Sequence, residues 1–159
     1  LYAPPKSRLL RALVAAGRAK PQLRLASPDL RGIRALLRAL REGEAIGILP
    51  DQAPGRGEGE WAEFFGRPAY TMTLVQRLAQ ASAAPILLAW AERLPAGRGY
   101  RLHVQAMPEG LPGESAARHL NRVLEGLIRQ CPAQYLWAYN RYKIPAGAPL
   151  PVLSPLELD

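Results

Sequence analysis

The sequence predicts an α/β fold in which a mixed central sheet is flanked by helices, the sheet being incomplete at its N-terminal side. Three observations lead there. Apolar residues recur at helical spacing in four stretches, short apolar runs of strand length lie between them, and the two kinds of segment alternate along the chain. At 159 residues with 48% hydrophobic residues the chain is long enough for one domain with a real core.

Leu9, Leu10, Leu13 and Val14 predict a helix over 7–18, with Ser7 as its N-cap and Gly17 at its end. The stretch "QLRLAS" (22–27) is a short strand candidate. Ser27-Pro28 has the form of a cap followed by proline at the first helical position, so a second helix is expected from Pro28 to about Glu42, stopping at Gly43. This helix carries two stripes, Leu30, Ile33, Leu37 and Leu40 on one arc and Arg31, Arg34, Arg38 and Arg41 on the next. The basic stripe fits either a solvated flank or a face that meets anionic head groups.

"AIGILP" (45–50) is a continuous apolar run, the pattern of a central buried strand, and places Asp51 at a strand end. A loop with Gly55, Gly57 and Gly59 follows and leads to Trp61, Phe64 and Phe65. Further on, a helix is expected over 71–82, a buried strand over 85–90 ("PILLAW"), a turn at 96–99 and a returning strand over 100–106. A helix over 114–130 follows, with Leu120, Val123, Leu124, Leu127 and Ile128 on its apolar face. "PAQYLWAYNRYK" reads as a short helix, and the chain beyond Pro145 as proline-rich and extended. Alternation of this kind implies a parallel or mixed sheet whose strand ends gather ligands.

The net charge of +8 suits anionic partners such as phosphate groups, acidic carrier proteins or anionic lipid. No apolar run approaches the ~18–20 residues that span a bilayer. Cys131 is the sole cysteine, so the chain holds no internal disulfide and no cysteine-based metal site, and no cofactor is implied. "GRGEG" lacks the Gly-Lys-Ser/Thr of a phosphate loop, no serine lies in a Gly-x-Ser-x-Gly elbow, and His103 and His119 have no ligand spacing and read as structural. The aromatic residues cluster rather than alternate on one strand face, which argues against nucleic acid.

"ILPDQAPGRGEGEWAEFFGRPAYT", with "LREGEA" before it and "RLPAGRGYRLHV" after, resembles the lipid A biosynthesis acyltransferases, the late lauroyl and myristoyl transferases of Gram-negative bacteria. The opening "LYAPPKSRLL" fits as well, and "QYLWAYNRYKIPAG" is similar to the family's ending in Gln-Tyr, Trp, Arg, Lys, Pro and Gly. The resemblance runs from Leu1 to about Gly147, as the C-terminal portion of an acyltransferase domain, and leaves 148–159 as a Pro-rich extended tail.

The resemblance implies a glycerol-phosphate-acyltransferase-like fold. It implies transfer of an acyl chain from a thioester donor, acyl carrier protein or acyl-CoA, to a hydroxyl of a lipid A precursor at the cytoplasmic face of the inner membrane. Related enzymes that acylate phosphatidylinositol mannosides share part of the pattern. The family's His-x4-Asp/Glu base and orienting acid are absent here, since Pro108 lies five residues past His103 and Leu124 five past His119. The dyad is therefore expected upstream of Leu1, with no catalytic residue in this chain.

What the resemblance implies for the residues present is supporting work. Arg18 matches a family arginine placed near acceptor or donor. Asp51, with Gln52 beside it, matches the acidic residue of the third acyltransferase block, and Arg56 sits in a basic loop near phosphate or carrier. Phe64 and Phe65 are candidates for lining an acyl-chain channel. Trp137, Arg141 and Lys143, together with the stripe Arg31, Arg34, Arg38 and Arg41, are candidates for contact with anionic lipid. A noncatalytic lipid- or carrier-binding module is the alternative that keeps the same residues.

Overall fold

The computed structural model describes residues 23–55 and 57–151, and the chain divides into two compact units, Leu1–Leu49 and Pro50–Asp159. The expected helix over 7–18 and Arg18 lie outside the described residues, as does Arg56.

In the first unit a helix, α1, spans Leu30–Arg41. Its N-cap is Asp29 rather than Ser27: the Asp29 carboxylate accepts the Gly32 N–H at 2.9 Å, and Ser27 serves it by donating its hydroxyl at 2.7 Å. A Cβ on Gly32 would stand 1.8 Å from the Ser27 carbonyl oxygen, so only glycine lets the entering chain fold back this closely. The helix stops where expected, with Gly43 at φ +79 and the Glu44 N–H returning to the Ala39 carbonyl. Its buried side centres on Gly32 and Leu36, while Leu30, expected on the apolar arc, is 69% exposed. All four stripe arginines are exposed.

The expected strands over 22–27 and 45–50 do not form among the described residues 23–27 and 45–50. A strand exists only through a ladder with a neighbour, which a short apolar run cannot by itself supply. What closes this region is an ion pair between Arg24 and Glu44.

The second unit is built on two antiparallel hairpins rather than one mixed sheet. Strands β1 (Gly59–Phe64) and β2 (Arg67–Met72) pair from Gly59↔Met72 to Phe64↔Arg67. The stretch read as a glycine loop leading to aromatics is thus mostly strand, and residues 71–72 belong to β2 rather than to the following helix. The connection is Phe65-Gly66, both with positive φ (49 and 76), the two-residue turn whose twist matches that of paired strands. So short a link permits only antiparallel pairing. Helix α2 (Leu74–Ser82) follows and buries Leu78.

Strands β3 (Leu87–Arg93) and β4 (Tyr100–Ala106) pair from Leu87↔Ala106 to Arg93↔Tyr100; β4 lies on the segment expected, whereas β3 is shifted towards the turn from the expected 85–90 and is largely exposed instead of buried. Helix α3 (Ala116–Gln130), capped by Ser115, then packs against the first hairpin. Phe64 and Ala69 of the hairpin meet Leu120, Leu124 and Ile128, spaced four apart on one face of α3. Burying a Phe64 or Leu120 side chain contributes about 1.5–3 kcal/mol each.

Glu114 ties the start of α3. It accepts two bonds from Arg122, at 2.8 and 2.9 Å, and one from the Leu111 N–H at 3.1 Å. The Arg122 hydrogen bond is the main reason its carboxyl is lowered from 4.5 to about 2. A lowered carboxyl stabilises the fold above its unfolded value and loses that contribution as pH falls through its folded value. The melting temperature of the wild type should therefore exceed that of Glu114→Gln by a constant margin above about pH 5. That margin should shrink between pH 4.5 and about 2; a margin independent of pH would refute the ionic account.

Candidate functional site

Each strand of a two-stranded hairpin has an outer edge of unpaired backbone groups, and a buried edge needs partners. The Thr73 N–H bond to the Glu58 carbonyl sets the phase of the first hairpin, so that 63 and 70 point their carbonyls outward. Side chains supply what further strands would have supplied. Asn121 donates to the Glu63 carbonyl at 2.9 Å, and Arg141 donates to the Tyr70 carbonyl at 2.8 Å.

The two side chains meet at Thr71. Its hydroxyl accepts from Asn121 at 2.9 Å and from Arg141 at 2.8 Å and donates to the Ala69 carbonyl, while the Asn121 amide oxygen accepts from Arg141 at 3.2 Å. Thr71 and Asn121 are fully buried and Arg141 is 2% exposed.

This node is charged but unneutralised. Among the described residues Arg141 makes no ion pair, and its Nε has no hydrogen-bond partner. Burial lowers its pKa, against which Tyr135, Tyr139, the Asp51 carboxylate and Tyr142 act. Its guanidinium lies 5.2 Å from the centre of the Phe64 ring, whose face offers partial compensation.

Beside Arg141 lies a pocket of about 300 Å³ walled by Phe64, Tyr135, Trp137, Tyr139 and Tyr142. Its walls are fixed from several directions. The Tyr142 hydroxyl donates to the Phe64 carbonyl at 2.9 Å, and the Tyr139 hydroxyl accepts the Ala53 N–H at 2.9 Å, tying the turn after Asp51 to the rim. Tyr135 packs edge-on to Trp137 at 4.9 Å, and Phe65 lies 5.9 Å from Trp137. The left-handed backbone at Phe65 is held by its N–H bond to Glu125, itself buried and paired to Arg118 at 2.8 Å. Burial raises the Tyr135 phenol above its ordinary value, with Asp51 adding to the rise.

The structure redistributes the expected site residues. Asp51 is half-buried in a turn rather than at a strand end, because residues 45–50 form no strand; its charge bears on Arg141 and Tyr135. Gln52 is exposed. Phe64 is a core residue that also faces the pocket, and Phe65 packs against that core with Arg129 4.9 Å from its ring centre. Arg141, expected at a lipid surface, points inward, drawn by the sheet-edge carbonyl of Tyr70; Trp137 and Lys143 are exposed.

Asn121, Thr71 and the tyrosines escaped the sequence reading. Asn121 left a signal, as a polar residue inside the apolar arc formed by Ala117, Leu120, Leu124 and Ile128. His103 has the form of a base with an orienting acid, bonded to Glu92 at 3.0 Å. Its ring, however, is stacked on Trp90 at 4.2 Å and Glu92 is shared with Arg101, so the arrangement is a packed side-chain cluster.

All residues of the node and pocket fall inside a stretch, residues 1–144, that matches the model of the bacterial lipid A biosynthesis acyltransferases. The chain belongs to this family. It is 30% identical over 145 residues to the lipid A biosynthesis palmitoleoyltransferase of Escherichia coli, covering 89% of this chain and 47% of the relative. It is 32% identical over 127 residues to the E. coli lipid A biosynthesis lauroyltransferase, covering 76% and 41%. A lipid A biosynthesis acyltransferase of Haemophilus influenzae is 30% identical over 108 residues, covering 67% and 34%. The chain thus spans about half the length of the acyltransferases it matches, or less.

In this member of the family the node should govern stability. Arg141→Met leaves the Tyr70 carbonyl and the Asn121 amide oxygen short of donors and should cost roughly 1–3 kcal/mol in urea unfolding, the range for leaving a buried acceptor unsatisfied. Arg141→Lys keeps the charge but not the planar fork and should fall between the two. A loss under about 1 kcal/mol for Arg141→Met would show that the node is dispensable.

Proposed function

We propose that this chain works in the transfer of a fatty acyl chain from an acyl carrier protein thioester to a hydroxyl of a lipid A precursor, at the cytoplasmic face of the bacterial inner membrane. The observation that carries the reading is the family match over residues 1–144, which encloses an aromatic pocket beside a buried arginine. The acyl class is supported by the names of the relatives, palmitoleoyl- and lauroyltransferases. A glycerol-phosphate-acyltransferase-like arrangement for the complete enzyme is part of the same reading.

In this chemistry a base takes the proton of the acceptor hydroxyl, the oxygen attacks the thioester carbonyl, and the thiolate leaves and recovers a proton. The sequence contains no His-x4-Asp/Glu, so the reading assigns the base outside these 159 residues. Within them, Phe65 and Trp137 offer apolar surface to an acyl chain, and Asp51 and Gln52 face the acceptor. Arg18 and Arg56 would meet phosphate or carrier. Arg31, Arg34, Arg38 and Arg41, all exposed, and Lys143 would meet anionic lipid. No described helix is long and apolar enough to cross a membrane.

The missing motif favours a second reading, a noncatalytic module that binds lipid or carrier. A chimera separates the two, with this chain replacing the stretch it matches in the E. coli palmitoleoyltransferase. The first reading expects turnover of acyl carrier thioester and lipid A precursor by the chimera and none by the chain alone, since losing a general base costs ~10²–10⁴-fold. A folded chimera that binds both substrates but does not turn over would overturn it in favour of the module.

Flotation tests the surface contact. The chain should bind vesicles containing phosphatidylglycerol and lose them as salt rises, each basic residue near the surface contributing up to about 1 kcal/mol. Equal binding to neutral vesicles would sink the electrostatic account.

A further inference from the structure

The pocket beside Arg141 has aromatic walls but the electrostatics of an anion site. Two further cations rest on those walls. The Arg67 guanidinium lies 4.2 Å from the centre of the Tyr142 ring, and the Lys143 ammonium 5.2 Å from that of Tyr139. Among the described residues neither makes an ion pair, and the wall carries no carboxylate. The Asp51 carboxylate bears on Arg141 but forms no ion pair with it. Glu125, a second acid near these rings, is already paired to Arg118.

Unspent hydrogen-bond donors share the wall. The Tyr135 hydroxyl has no hydrogen-bond partner among the described residues, and burial, with Asp51 adding to it, keeps the phenol protonated at neutral pH. The Tyr139 hydroxyl accepts the Ala53 N–H and keeps its own proton to give. Asn140 accepts the Tyr142 N–H at 3.2 Å through its amide oxygen, and its amide N–H groups have no partner among the described residues. Two occupants fit such a wall poorly. A quaternary ammonium seeks the faces of rings, but Arg67, Lys143 and Arg141 already stand over Tyr142, Tyr139 and Phe64. A bare hydrocarbon chain would cut the donors off from water and give them no acceptor, which is costly.

We propose that this pocket binds a phosphate monoester carried on a ring-shaped apolar body. The phosphate is held by Tyr135, Lys143 and Arg67 in the field of Arg141, and the body lies against Trp137 and Tyr139. Three cations set against the Asp51 carboxylate leave an excess of about two positive charges. A phosphate monoester carries about −1.5 to −2 at neutral pH, whereas a carboxylate would leave one cation unmatched. Its three terminal oxygens also suit a wall whose free groups are donors. A volume of about 300 Å³ stands at the lower end of the ~300–1,000 Å³ usual for small-molecule sites, enough for a phosphate and one ring. The inference rests on the charges and donors of the pocket and not on the proposed activity, and binding is read without turnover.

The test is calorimetric titration of the chain with phenyl phosphate, set against phenol, inorganic phosphate and benzyltrimethylammonium. Phenyl phosphate should bind at least about 10-fold more tightly than any of the three, because it alone brings both the charge and the ring. Tyr135→Phe breaks no hydrogen bond of the described fold and should weaken binding about 10-fold, the effect of losing one bond to a charged group. Lys143→Gln should weaken it about 2–5-fold, as for an exposed ion pair. Arg98→Gln, which removes a charge from the turn at 96–99, should leave it unchanged. Phenol or the ammonium binding as tightly as phenyl phosphate would overturn the proposal. Flotation with phosphatidylcholine vesicles containing phosphatidic acid separates the sources of the ester. If phenyl phosphate binds, the pocket takes soluble esters; if only the vesicles bind and Tyr135→Phe releases them, it takes a lipid head group. No binding of phenyl phosphate, together with vesicles that Tyr135→Phe does not release or that never bind, overturns the proposal.

Discussion

A hairpin edge buried against a helix has carbonyls that must be met, and in this chain two side chains from distant positions, Asn121 and Arg141, meet them. Asn121 on α3, Thr71 on β2 and Arg141 in the C-terminal segment join into one hydrogen-bonded node. Without it, the apolar contact of Phe64 and Ala69 with α3 would bury the Tyr70 carbonyl unsatisfied, at about 1–3 kcal/mol, and leave the Glu63 carbonyl only the 3.3 Å bond from Arg118. The node therefore decides where α3 and the segment after Tyr135 can lie. The hydrophobic contacts add energy but do not choose the register.

The pocket is a consequence of that placement. Once Arg141 is drawn inward, its neighbours Tyr139 and Tyr142 become walls, anchored at Ala53 and at Phe64. A second buried link, from Glu125 to the Phe65 N–H, holds the hairpin turn so that the Phe65 ring reaches Trp137. A cation without a carboxylate partner among the described residues and a cluster of rings are thus two results of one structural requirement.

How much of this could be read beforehand depends on the range of the interaction. Elements fixed by local periodicity were legible: α1, α3, the turn at 96–99 and β4 lie where spacing put them. The β1–β2 hairpin was not, because its turn uses Phe65 in a left-handed conformation that glycine normally takes, and glycines at 55, 57 and 59 imitated a loop. The polar and aromatic neighbours of Arg141 in sequence suit a surface cation. Its burial follows from partners 20 and 70 positions away, and no local pattern encodes those. Asn121 alone carried a trace, as a polar interruption of an apolar arc.

The two apolar runs at 45–50 and 85–90 show what such a pattern does encode. Both have the pattern of buried strands, and their compositions are alike. Residues 87–90 of the second became strand because a partner returns within reach, through the turn at 96–99, whereas no hairpin among the described residues includes the first. Continuous hydrophobicity records the surroundings a segment is suited to, whereas strand formation requires a ladder, and the ladder depends on what else is in the chain. The exposure of β3 follows from the same distinction: a local connection is enough to pair it with β4, but only a further layer can cover its outer face.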